Sequence, residues 1–187
     1  MSKFEYSKEA AEAVKNFLTE NDWKYQFDEE VGMFEMNLKI RARIQKIEYL
    51  ISIEKKEIVM YGVSPIGVDP CDTERMAQMA EFICRANYGI KNGGFELDFR
   101  DGEIRYKCYV DCANLIPSDE VIRNGILCIG VMYEHYSEGI LDVVIGGKSA
   151  AEALEENEEE LPEGTFCGGE QDEEEVLPKG TFRSWED

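Results

Sequence analysis

Between Phe34 and Ile44 the chain alternates without a break: Phe34, Met36, Leu38, Ile40, Ala42 and Ile44 are apolar, while Glu35, Asn37, Lys39, Arg41 and Arg43 are polar. A period of two sustained this long does not fit a helix with one apolar stripe. It calls for extended backbone with one face buried and the other in water. Ile47, Tyr49, Ile51 and Ile53 repeat the pattern, and after a turn over 55–57 an apolar run follows at 58–63, so an antiparallel meander is expected. Its water-facing side would carry Lys39, Arg41, Arg43 and Lys46. That is the densest basic cluster in an acidic chain and a candidate partner-binding surface on the sheet face.

Helical spacing frames the meander. Ser7 can cap an opening helix whose stripe is Ala10, Ala11, Val14, Phe17 and Leu18, ending near Asn21. Trp23, Tyr25 and Phe27 then read as a short strand. Asp69 before Pro70 opens a second helix with Met76, Met79, Ala80, Ile83 and Ala86 inside, stopped by Gly89. Phe95, Leu97 and Phe99 pair with Ile104, Tyr106, Cys108 and Val110 through an Asp101-Gly102 turn. Ser118 caps a long last helix with Ile122, Ile126, Ile129, Tyr133, Tyr136, Ile140 and Val143 down one face. Further apolar residues surround its middle, so it needs cover on more than one side. A second copy of the chain is the expected cover, giving a homodimer through Ile126, Ile129, Tyr133 and Tyr136. The element order predicts an α+β fold, α-β-β-β(-β)-α-β-β-α, with helices against an antiparallel sheet.

That order, together with Ala86-Asn87-Tyr88, then Gly93-Gly94-Phe95-Glu96-Leu97-Asp98 and Asp101-Gly102-Glu103-Ile104-Arg105-Tyr106, resembles the YbjN-like domain family of bacteria. The fold of that family is similar to type III secretion chaperones. The resemblance spans about residues 5–145. It implies a chaperone-like fold and a protein-binding or regulatory role, its members being described as sensory transduction regulators. It brings no catalytic residues with it.

The chain has 187 residues and a net charge of -20, which argues against nucleic-acid and anionic-membrane partners. The charge is uneven. From Glu152 to Asp187 fourteen acidic residues face Lys179 and Arg183, a net of -12. The expected division is a body over 1–148 and an acidic, disordered tail over 149–187. Within the tail Leu161-Pro162-Glu163-Gly164-Thr165-Phe166 recurs as Leu177-Pro178-Lys179-Gly180-Thr181-Phe182. Leu161, Phe166, Leu177 and Phe182 are therefore candidate docking residues of paired linear motifs. The departure from the family lies in this tail.

Chemical motifs are sparse. The start of the chain carries no apolar export segment and no run is long enough to span a bilayer, so a cytoplasmic protein is expected. Six cysteines without CxxC spacing read as reduced structural thiols, with Cys108 and Cys112 on one strand face. Gly146-Gly147-Lys148-Ser149 fails as a phosphate loop because Asp142 stands where glycine is needed. His135 is the sole histidine, and Glu96, Asp98 and Asp101 flank a turn. No catalytic, cofactor or metal residues are selected. The reading is a non-enzymatic, cytoplasmic protein-interaction module. One alternative has the acidic tail covering the basic sheet face, and another is a small-molecule sensor or enzyme with a pocket near Trp23, Tyr25 or Tyr106.

Overall fold

The alternating segment becomes the second strand of a six-stranded antiparallel sheet in the structure, a computed structural model that describes residues 5–113 and 115–159. In chain order the elements are α1 (Lys8–Glu20), β1 (Gln26–Asp28), β2 (Met33–Lys39), β3 (Lys46–Ile53), β4 (Glu57–Val63), α2 (Thr73–Asn87), β5 (Gly94–Leu97), β6 (Ile104–Asp111), α3 (Asp119–Leu141) and α4 (Ala150–Glu159). One turn of π-helix, Asp142–Gly146, joins the last two. Across the sheet the order is β1-β2-β3-β4-β6-β5. The fold is α+β, as the element order predicts, with four helices against one sheet.

The alternation outlasts its strand. β2 stops at Lys39, directly opposite Lys46, and residues 40–45 form the connection, closed by Ile40 N–H donating to the Gln45 carbonyl at 3.1 Å. Ile40 and Ile44 are still buried there. The period of two therefore records which side of the backbone faces the core, and that side persists through the turn. β1 is likewise shorter than the aromatic run suggests, starting after Trp23 and Tyr25; Phe27 stacks on Phe34 with ring centres 4.2 Å apart. α2 begins a turn later than Asp69, because Asp69 instead accepts the Cys71 and Asp72 N–H groups while Asp72 caps the helix from Arg75 N–H.

All the helices stand on one side of the sheet. Along β2 and β3 the even-numbered and odd-numbered positions respectively are buried, and Phe34, Leu38, Ile47, Tyr49 and Ile51 meet the helical layer. α3 comes closest at Gly62 of β4, where an added Cβ would overlap the Ile129 side chain. The Tyr133 hydroxyl lies 2.9 Å from the Gly62 carbonyl and 3.3 Å from that of Ile104, so it straddles β4 and β6. Tyr49, fully buried, donates to the Ile126 carbonyl at 2.7 Å.

The extra cover that α3 requires comes from its own chain. α1 packs beside it, Phe82 of α2 meets Tyr136 edge-on, and Gly139 fits between Phe82 and Ala153 of α4. Ile126, Ile129 and Tyr133 are 0% exposed and Tyr136 2%, so these four residues are core, not a surface for a second copy. The division at residue 148 also needs correction. Gly147 ends the π-helical turn at φ +72°, a conformation glycine adopts without a Cβ clash. The chain then starts α4, whose Ala150 and Ala153 are buried, and Lys148 bridges Asp142 and Glu156 at 2.8 and 2.5 Å. The folded body thus includes α4.

Candidate interaction surface

Because every helix lies on one side, the other side of the sheet is uncovered among the described residues. Register places Glu35, Leu50, Tyr61 and Lys107 in one row across it, and Asn37, Glu48, Val63, Arg105 and Glu96 in the next. Ser52, Val59 and Tyr109 make a third. Leu50, Tyr61, Val63 and Tyr109 thus form an apolar strip bordered by charge, with the buried Val59 between them. The Arg105 guanidinium lies 4.6 Å over the Tyr61 ring and also bonds Glu96 at 2.8 Å, while Lys107 pairs with the same carboxylate. Burial would raise the Glu96 carboxyl, but these hydrogen bonds outweigh it and hold it below its ordinary range.

The strip leads to a backbone edge that is free among the described residues. β6 runs to Asp111, yet β5 pairs with it only from Gly94 opposite Lys107 to Leu97 opposite Ile104. Even-numbered residues of β6 bond towards β4, as the Ser64 N–H to Ile104 carbonyl and Cys112 N–H to Lys56 carbonyl contacts show. Odd-numbered ones point the other way, where Asp98 N–H meets the Glu103 carbonyl. Tyr109 and Asp111 therefore direct N–H and C=O outward where β5 has already ended. Gly93, at φ +83°, is the residue at which the chain joins that ladder; a Cβ there would overlap the Lys107 carbonyl. Beside the edge is a groove of about 390 Å³ lined by Asn92, Cys108, Tyr109, Val110, Asp111, Val121, Asn124 and Gly125. Tyr109 is 52% and Val121 40% exposed, and Leu115 and Ile116 are exposed in the connection between β6 and α3.

No family model, curated protein or solved structure compared with the chain matches it. The comparisons therefore give the YbjN-like resemblance no support, and the geometry stands on its own.

The four basic residues expected on one sheet face are split by the fold. Lys39 and Lys46 face each other at the strand ends, on the uncovered side. Arg41 and Arg43 belong to the β2–β3 connection and are tied to α3: Arg41 N–H donates to Glu134 at 2.8 Å and the Arg43 guanidinium meets Glu138 at 3.1 Å. The cations nearest the apolar strip are Arg105 and Lys107. Sequence spacing contained that signal, since both alternate with Ile104, Tyr106 and Cys108. Leu161, Phe166, Leu177 and Phe182 lie outside the described residues. His135 is half-buried against Tyr136 and within 3.5 Å of Asn157, burial holding its imidazole below the usual value. Asp98 is bound by Arg100 at 2.5 Å, a contact that lowers its carboxyl to about 2. Tyr106 is a core side chain, its hydroxyl donating to the Asn92 carbonyl. Among the described residues no group of three His, Cys, Asp or Glu converges on a metal site, and no helix is long and apolar enough to cross a membrane.

Proposed function

We propose that the chain is a non-enzymatic protein-interaction module, chaperone-like or regulatory, that works in the cytoplasm and takes an extended segment of a partner protein along the free edge of β6. The carrying observation is the outward-pointing backbone of Tyr109 and Asp111 beside the groove of Val110, Val121 and Gly125. Strand addition uses main-chain hydrogen bonds for affinity and alternate side chains for selectivity. The apolar strip on the uncovered face gives a bound segment further surface to lie against. This reading agrees with the protein-binding role that the YbjN-like resemblance implies.

The test replaces Asp111 by proline, which removes an edge N–H that β4 does not use; proline is tolerated at such edges. Asp111→Ala keeps the N–H and is the control. A photo-crosslinking residue at Val121 should capture a partner in the native cell with the Ala background and lose it with the Pro background, while circular dichroism stays unchanged. Equal capture in both backgrounds would refute edge pairing.

A further inference from the structure

Cys108 of β6 and Cys128 of α3 meet beneath the segment that carries Asn92. Cys128 Sγ is 3.5 Å and Cys108 Sγ 4.0 Å from the Asn92 carbonyl oxygen, so both thiols converge on one acceptor. That oxygen already accepts the Tyr106 hydroxyl at 2.5 Å, and a carbonyl has two lone pairs for three donors. Cys108 is 1% exposed but lines the floor of the groove, whereas Cys128 is half-buried towards solvent.

We propose that Cys108 and Cys128 are a peroxide-sensitive dithiol that closes to a disulfide between β6 and α3. In the first step Cys128 sulfur attacks one oxygen of hydrogen peroxide and the O–O bond breaks. A sulfenic acid forms, and the departing hydroxide leaves as water with the thiol proton. Cys108 sulfur then attacks the Cys128 sulfur, the S–S bond forms, and the sulfenic hydroxyl leaves as water with the Cys108 proton. Two thiols give up two electrons and one peroxide becomes two waters. The assignment of roles follows exposure: Cys128 is the thiol that peroxide can reach and Cys108 the buried one beside it, and the electrostatics agree in direction, the neighbouring Cys108 lowering Cys128 against the pull of burial while Cys108 is raised. A partly exposed thiolate beside a resolving thiol is the arrangement in which peroxide chemistry is selective. The chemistry stands whether or not the groove binds a peptide.

The experiment treats the reduced full-length protein with equimolar hydrogen peroxide, alkylates the remaining thiols and digests with trypsin without reduction. The expected product joins peptide 108–123 to peptide 124–148 with the loss of two hydrogens. Cys112 shares the first peptide, so Cys112→Ala is the background in which the link is assigned. Cys128→Ser should leave Cys108 reduced, and Cys108→Ser should leave a Cys128 sulfenic acid that dimedone traps. Oxidation confined to the exposed Cys71 and Cys84, or a Cys128 that over-oxidises without linking to Cys108, would overturn the proposal. Where a variant fails to fold, fragmentation of the linked wild-type peptides between residues 108 and 112 separates a Cys108–Cys128 link from a Cys112–Cys128 link, and the latter overturns the proposal.

Discussion

The Ser137 hydroxyl is fully buried on α3 without a hydrogen-bond partner among the described residues. A hydroxyl in that position retains its desolvation cost with nothing to offset it. Ser137→Ala is expected to stabilise the protein by about 1 kcal/mol, read as a higher urea midpoint at unchanged slope. Gly62 gives the opposite sign: a methyl group there must displace Ile129 from the sheet, so Gly62→Ala should cost about 1–3 kcal/mol in the same assay. Neither residue is conspicuous in the sequence. The thiol pair is hidden for the same reason. Spacing along one strand draws attention to Cys108 with Cys112, whereas Cys112 lies beyond the strand end with its sulfur turned to the Val110 carbonyl, and Cys108 finds its partner across the layer on α3. Periodicity reports the face on which a residue sits and is silent about which residue of another element it meets.

At the scale of elements, the β5–β6 hairpin is held by Glu96 between Arg105 and Lys107. Its carboxyl ionises more readily in the folded chain than in the unfolded one. The stabilisation is therefore complete above the unfolded carboxylate pKa of about 4.3 and fades as pH falls through the lower folded value. Chemical shifts of Phe95 and Leu97 should move in that acid range, and Glu96→Gln should remove this part of the pH dependence. α4 is fastened by Lys148 to Asp142 and Glu156. Lys148→Met is expected to leave the global urea midpoint nearly unchanged, yet to speed amide exchange in 153–157 relative to α3. α1, β3, β4 and α3 were readable because cap and stripe, or alternation and turn, agree within each. α4 was not: Ala150, Ala153, Leu154 and Asn157 form a sparse stripe among acids, and its reason to fold is the groove between α2 and α3 that it fills. The free edge of β6 was equally illegible, because it arises from a difference in length between two strands that each look ordinary.

For the whole molecule, a net charge of -20 on 187 residues opposes compaction, and salt screens that repulsion. The melting temperature should therefore rise between low salt and about 0.5 M sodium chloride; a fall would mean that the ion pairs outweigh the net repulsion. The sheet itself is two pieces, the β1–β4 meander and the β5–β6 hairpin, joined only where β4 meets β6. Tyr133 sits on that junction, bonded to the carbonyls of Gly62 and Ile104. This has a consequence for synthesis on the ribosome. The meander is complete at Val63, but the helix that covers the junction does not begin until Asp119. At roughly 5–20 residues per second the apolar face of β2–β4 waits several seconds for its cover. A nascent chain halted in that interval presents the side of the sheet that the finished protein hides, which is the stage at which it most needs a holding chaperone.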